Sequence, residues 1–283
     1  MMTSGDADSN SCKSLLDRWW SSSLGCSTEA LHDGGHHVVV SREAAGPWQK
    51  PFPMTACSVS IVTASKGWIL SVPLEVCDEA RRSCNGLSFE EMAREGDEAL
   101  EWWYLNRASG TRERPGVMAY SALGQLARDL QVRGWAHYVH WFIDERTWGP
   151  GRVDSHVQRL SQDNPAIWQQ WLSWPGDFCK PSFSEHFEVS DGFAYVLDGR
   201  IVSVAQIEGN SRMIAWEFGV DTLGPFRGRG YATETCRAAV VRIIECGKIP
   251  WYYYAHYNRA SGRIPQKLGF FRYLEGVFSH PQR

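Results

Sequence analysis

Four residues of the C-terminal half, Arg227-Gly-Arg-Gly230, stand between an apolar run ending at Thr222 and an amphipathic run beginning at Tyr231. Glycines at 228 and 230 let the backbone approach a ligand closely and take turn conformations barred to larger residues. The first-turn N–H groups of a following helix have no intrahelical partner and carry the positive end of its dipole. With the guanidinium groups of Arg227 and Arg229 beside it, such a terminus suits an anion, and a pyrophosphate above all. An RNA-binding Arg-Gly segment is the competing explanation. Segments of that kind repeat the motif in disordered sequence, whereas here it occurs once between a strand and a helix. Nor is it the dinucleotide G-x-G-x-x-G or a P-loop, which needs Lys-Ser/Thr. The phosphate loop is the better reading.

The elements that must position this loop follow from periodicity. "RMIAWEFGVDT" reads as a strand leading into it. "YATETCRAAVVRIIECGK" reads as the helix leaving it, with Ala232, Cys236, Ala239, Val240 and Ile243 on one face and Gly247 as the stop. Upstream, "VQRLSQDNPAIWQQWLSW" predicts a strand and then a helix with Pro165 at its first position and Asp163 or Asn164 as cap. "GFAYVLDGRIVSVAQIE" predicts a hairpin turning on Asp198-Gly199. Downstream, "PWYYYAHY" predicts a strand, "SGRIPQKLG" a short helix and "FFRYLEGVF" a last strand. Because Pro265 is tolerated only in a helix's first turn, that short helix is expected to begin near Ser261 or Gly262. Strands alternating with helices in this order give a mixed α/β sheet.

The first half is less regular. Residues 1–45 are rich in Ser, Gly and Asp and read as an irregular tail. Strand-like runs follow at Cys57–Ala64 and Trp68–Val72, joined by a Ser-Lys-Gly turn. A helix is expected through Met92, Leu100 and Trp103, with Ser88 as N-cap and Glu91 three residues on. "WAHYVHWFID" predicts a strand, and Gly149-Pro-Gly151 then marks the expected boundary between a domain of residues 46–150 and one of residues 151–283.

Composition limits the function classes. A chain of 283 residues, 43% hydrophobic and 22% charged, can bury a real core and favours two domains. A formal net charge of −3 supplies no global field for nucleic acid or an anionic membrane. The acidic start lacks the pattern of a signal peptide, and no run reaches the length of a membrane span, so a cytoplasmic protein is expected. Eight cysteines show neither C-x-x-C nor zinc-finger spacing, which favours reduced thiols. His36-His37, in a Gly-rich stretch, reads as solvated, and no metal site is expected. The 14 tryptophans, among them Trp19-Trp20, Trp102-Trp103, Trp168, Trp171 and Trp174, read as core and interface packing rather than as an aromatic pocket.

The segment Arg227-Gly-Arg-Gly-Tyr-Ala232 resembles the R/Q-x-x-G-x-G/A acyl-CoA loop of the GNAT superfamily of N-acyltransferases. Asn258-Arg-Ala-Ser261 and Lys267-Leu-Gly-Phe270 resemble that family's second cofactor motif, and the likeness runs from about Val153 to Phe278. It implies a GNAT-type mixed twisted sheet with flanking helices, preceded here by a smaller α/β domain with the character of a degenerate GNAT-like half. The implied co-substrate is acetyl-CoA, with no metal. Val220 and Thr222 would pair with its pantetheine arm, while Arg227, Gly228, Arg229, Gly230, Tyr231 and Ala232 would hold its pyrophosphate. Asn258 and Ser261 would reach the pantetheine or the thioester, unless they serve only to end a strand and cap a helix.

The implied reaction is attack of an amine on the thioester, which needs a base and a proton donor for the departing thiolate. Glu217, on the central strand between Trp216 and Phe218, matches the family's carboxylate base if it points into the cleft; otherwise it is a solvent-facing strand residue. The family's acid, a Tyr, is replaced here by Pro265; either Tyr257, His256 or Ser261 takes that role, or the thiolate leaves without a donor. The expected acceptor is a small-molecule amine bound between the two domains, met by Glu208, Glu217 or Asp221, with no nucleic acid or membrane partner and with a homodimer allowed. An inactive acyl-CoA sensor, O-acyl transfer and thioester decarboxylation are the alternatives.

Overall fold

A computed structural model describes residues 11–41, 59–84, 86, 88–106, 124, 126, 133–149, 151–175, 179 and 189–280, excluding the side chains of 99–106, 133, 134, 189, 190 and 280. Cys57, Pro150 and the side chains of Leu100, Trp102 and Trp103 lie outside the described residues. The fold is mixed α/β. Two compact units divide it: Met1–His140 with Tyr254–Arg259 and Tyr273–Arg283, and Trp141–Tyr253 with Ala260–Arg272. Gly149 and Gly151 therefore lie within the second unit. No helix among the described residues is long and apolar enough to cross a membrane.

The first unit begins with helix α1 (Cys12–Leu24) and holds strands β1 (His36–Val40), β2 (Ser60–Thr63) and β3 (Trp68–Val72). Helices α2 (Cys77–Ser83) and α3 (Phe89–Asn106), strand β4 (Arg133–Phe142) and the end of β10 (Phe271–His280) complete it. Strand order is β1-β3-β2-β10-β4, with β1 and β3 parallel and β2 antiparallel to both of its neighbours. Ser88 caps α3 as expected, its Oγ accepting from Glu91 N–H at 3.3 Å. The other half of a capping box is replaced, because Ser88 Oγ donates to the Glu90 carboxylate.

The expectation of an irregular tail over residues 1–45 is corrected for residues 11–41, the part that is described. Ser11 caps α1, its Oγ accepting from Ser14 N–H at 3.1 Å, and Gly25 ends the helix at φ +85. Leu16, Trp19, Trp20 and Leu24 are spaced along one face and are all 0% exposed. Their i, i+3, i+4, i+8 spacing was there to be read, but serines and glycines diluted it in the composition. Polar bonds fix the packing: Ser71 Oγ donates to Leu24 C=O at 2.7 Å, and Tyr273 Oη to Asp17 at 2.6 Å. Burial of Trp19 and Trp20 agrees with the reading of the tryptophans as core.

The second unit contains β5 (Val157–Arg159), α4 (Pro165–Leu172), β6 (Val189–Leu197), β7 (Arg200–Gly209), β8 (Ala215–Thr222), α5 (Tyr231–Glu245), β9 (Ile249–Ala255, to Tyr253) and most of α6 (Arg259–Leu268). Its strand order is β9-β8-β7-β6-β5. The β6–β7 hairpin turns on Asp198 at φ +48 and Gly199 at φ +75, the pair of positive angles a primed turn requires. Asn164 caps α4, accepting from Ile167 N–H at 3.4 Å, with Pro165 at the first position. Between β5, β6 and α5, buried Asp191 accepts from Arg159 at 2.9 and 2.7 Å and from Arg242 at 3.1 Å. Such a centre holds three elements together because both carboxylate oxygens are used.

The start of α6 is also corrected. The helix begins at Arg259, and Pro265 lies well inside it. Proline deprives the Ser261 carbonyl of its helical donor, a cost set against burial of the face made by Gly262, Pro265 and Leu268.

Candidate active site

β8 and β9 run parallel, but their pairing ends early. Ala215, Trp216 and Glu217 are in register with Ile249, Pro250 and Trp251, and none of the later described residues of β8 pairs with β9. On its other edge β8 stays paired to β7 out to Thr222, opposite Ser203. Leu223 N–H bonds to Val202 C=O at 3.0 Å. In an antiparallel ladder hydrogen-bonded and non-hydrogen-bonded pairs alternate, so the N–H and C=O groups of Val220 and Thr222 point away from β7, toward the released edge. Those are the two residues singled out for a pantetheine arm. At Thr222 both groups are met locally: its N–H donates to Asp221 Oδ1 at 2.8 Å and its C=O accepts from Arg227 Nε at 3.0 Å.

Beyond β8 a short 3-10 turn, Gly224–Phe226, brings the chain to the loop. Gly228 has φ +76 and Gly230 φ +91, and a Cβ at either position would meet nothing within 4 Å. Both conformations are left-handed, which explains glycine; the open space explains how a ligand could come close. Gly230 is the N-cap of α5 and offers no side-chain acceptor, so the first-turn donors are not satisfied by a cap. Among the described residues, the N–H groups of Gly228, Arg229, Gly230, Tyr231 and Ala232 make no hydrogen bond. Arg227 is 71% exposed at its side chain, Arg229 lies over the Phe226 ring at 5.7 Å, and Tyr231 packs on Tyr195 with ring centroids 4.4 Å apart. Loop, glycines and helix terminus thus form an open, positively polarised cradle.

Glu217 sits where the β8–β9 ladder stops. It is 8% exposed, which overturns the solvent-facing alternative. Directly opposite it on β7 is Glu208, which accepts from Gln206 Nε2 at 3.4 Å. Burial and the Glu208 charge push the Glu217 carboxyl up to about 8, although a hydrogen bond from Tyr253 pulls the other way. Burial raises Glu208 as well. One oxygen of Glu217, Oε2, is buried without a hydrogen-bond partner. A carboxyl of this kind takes up and releases a proton near neutrality.

On β9 neighbouring side chains face opposite ways. Tyr253 shares the face of Glu217, and Tyr252 lies on the other, its ring 5.2 Å from Phe218. Tyr252 Oη and Ser261 Oγ are 2.5 Å apart. The sequence singles out Ser261 but neither tyrosine, because "WYYYAHY" says nothing of which phenol meets which partner. Ser261 is inside α6 rather than at its cap. Tyr257 and Asn258, in the turn after β9, belong to the first unit, whereas Ser261, Glu217 and the loop belong to the second. Asp221, the remaining carboxylate proposed for an amine, accepts from Trp174 Nε1 at 3.2 Å.

Residues 130–271, half of the chain, match the family described as "Acetyltransferase (GNAT) domain". The chain belongs to the GNAT acetyltransferases. Among solved structures, a GNAT-family acetyltransferase from Novosphingobium aromaticivorans is 20% identical, covering 54% of this chain and 67% of its own at a TM-score of 0.40. A GCN5-related N-acetyltransferase-like protein from Streptococcus suis is 17% identical over 56% of this chain and 67% of its own, TM-score 0.42. A tandem GNAT protein from the clavulanic acid biosynthesis pathway is 14% identical over 61% of each chain, TM-score 0.38. No curated protein matches. GNAT proteins generally use acetyl-CoA, in which a pyrophosphate is joined directly to a pantetheine arm.

Proposed function

We propose that this GNAT protein transfers an acetyl group from acetyl-CoA to an amine of a small molecule. The observation that carries the reading is the release of β8 from β9 at Glu217, which puts a buried carboxyl of raised pKa beside a free strand edge. The outward N–H and C=O of Val220 are the natural partners of an amide-bearing arm. The unbonded N–H groups from Gly228 to Ala232, with Arg227 and Arg229, suit a pyrophosphate. Asn258 is assigned to the pantetheine arm by the family motif.

In the chemistry, the amine nitrogen bonds to the thioester carbonyl carbon, its proton passes to Glu217, and the C–S bond breaks. The thiolate takes its proton from Ser261, with the Tyr252 hydroxyl behind it. Tyr252 and Glu217 face opposite sides of the sheet, so proton removal and proton return need not compete. Tyr257 remains a donor of the second rank, since it lies in the other unit. Glu208 and Asp221 are the further carboxylates able to draw a cationic amine. The seven described cysteines form no disulfide, which supports a reducing, cytoplasmic setting.

The test is calorimetric titration of acetyl-CoA into the native chain and Gly230→Glu, followed by thiol release and product mass with a panel of amines. Micromolar binding lost in the variant, and a product heavier by one acetyl group, are expected. No binding by the folded native chain would overturn the reading. Acetylated alcohols in place of amines would overturn its N-transfer part.

A further inference from the structure

The first unit contains a cluster that acetyl transfer does not use. Asp97 lies in α3, His137 in β4 and His256 in the turn after β9, all within that unit. Asp97 Oδ2 is 2.6 Å from His256 Nδ1, and Asp97 Oδ1 is 3.2 Å from His137 Nδ1. The two imidazoles lie with centroids 4.6 Å apart. One ligand atom from each of the three residues falls within 4.8 Å of the others. We propose that Asp97, His137 and His256 form a binding site for a divalent transition-metal ion, with zinc the ion whose chemistry it fits best.

Three observations support the site. First, hydrogen bonding leaves it unsatisfied. His137 is 2% exposed, yet neither of its ring nitrogens has a hydrogen-bond partner, and Asp97 Oδ1 is buried without one. The Asp97–His137 approach is close in distance but off the line of a ring N–H. Buried polar atoms in this state are rare, and an ion is one of the few things that satisfies them.

Second, the separations suit coordination. Nitrogen and oxygen ligands about 2 Å from a tetrahedral zinc are about 3.3 Å from one another. The aspartate–histidine separations of 3.2 and 2.6 Å lie at and below that value, so the Asp97–His137 pair is already spaced for coordination and a swing of half-exposed His256 away from Asp97 completes the set. Two imidazoles and one carboxylate form a borderline donor set that favours zinc over magnesium or calcium, which prefer oxygen. Three protein ligands also leave a fourth position for water.

Third, the surroundings are built to hold it. Glu275 on β10 lies 3.5 Å from His137 Nε2. With His137 coordinating through Nδ1, its Nε2–H faces that carboxylate, the arrangement that fixes a metal-binding imidazole and raises its basicity. His256 N–H donates to His137 C=O at 3.0 Å, so backbone as well as side chain joins the turn to β4. Gly96, next to Asp97, allows the helix to come this close: a Cβ there would sit 3.2 Å from Val277 and 3.3 Å from the His137 Cβ.

The experiment strips the full chain with chelator, verifies its fold by circular dichroism, and titrates zinc by calorimetry with metal stoichiometry by mass spectrometry. One zinc per chain is expected, not displaced by excess magnesium. Asp97→Asn and His256→Gln should each weaken binding at least ~10-fold, and Glu275→Gln by about 10-fold as a positioning residue. His37→Gln, in the sequence's obvious histidine pair, should change nothing. Because His256 is 46% exposed at its side chain, His256→Gln keeps the fold and the test valid. Failure of the folded native chain to take up stoichiometric zinc overturns the proposal. So does a His256→Gln chain that binds as tightly as the native one.

Discussion

Two pairs of histidines in this protein show how differently sites are written into a chain. His36 and His37 are neighbours in sequence but do separate things: His36 stacks on Trp68 at 4.7 Å, and His37 bonds to Asp33 at 2.9 Å. Successive residues of a strand face opposite sides, so adjacency in sequence keeps them apart. His137 and His256 come from distant stretches and share one carboxylate. The GNAT loop is a third case. The donors it leaves unbonded are backbone N–H groups of consecutive residues, so sequence proximity and spatial proximity coincide. Backbone-built sites are local, and side-chain sites depend on register and packing.

The largest effect should fall on the part of the GNAT site that depends on register. Glu217→Gln should lower turnover by ~10²–10⁴-fold while acetyl-CoA binding persists, because only proton transfer is removed. Native turnover should rise with pH through the region near 8 to which the Glu217 carboxyl is pushed. Loss of acetyl-CoA binding together with turnover would mean that Glu217 shapes the strand edge instead.

Trp20→Ala tests whether the N-terminal helix is part of the first unit's core. With the ring fully buried against His140, at 5.0 Å between centroids, a loss of about 3–5 kcal/mol in chemical denaturation is expected. A loss below about 1 kcal/mol would restore the irregular-tail reading. Asp191→Ala, which leaves Arg159 and Arg242 without their shared partner, should cost about 2 kcal/mol in the second unit.

Gly230→Glu should weaken acetyl-CoA at least ~10-fold, through strain at a left-handed position and a negative charge against the pyrophosphate. The smallest expected effect is one of sign. Glu217 has a folded pKa above its unfolded value of 4.5, so the native state holds its proton longer. Its burial therefore costs nothing below about pH 4 and costs progressively more as pH rises to about 8. Glu217→Gln should accordingly raise the melting temperature more at pH 8 than at pH 5. An equal shift at both would show that the carboxyl is not desolvated in solution.

What the sequence determined by itself was everything built from neighbouring residues. The Asp198-Gly199 turn, the Asn164-Pro165 helix start and the Arg227–Ala232 cradle each depend on local dihedral preferences and local donors. That the backbone groups of Val220 and Thr222 share one edge follows from strand alternation, but which edge they face is set by the pairing of β8 with β7. Tertiary structure decided the rest. Burial of Glu217 depends on Glu208 and Tyr253 from other strands. The Tyr252–Ser261 contact depends on where α6 packs, and α6 itself starts earlier than Pro265 suggested because burial of one face outweighs a lost hydrogen bond. The Asp97–His137–His256 cluster depends on a helix brought close by Gly96. Chain order fixes which groups a backbone turn presents, but only packing fixes which side chains from remote elements meet.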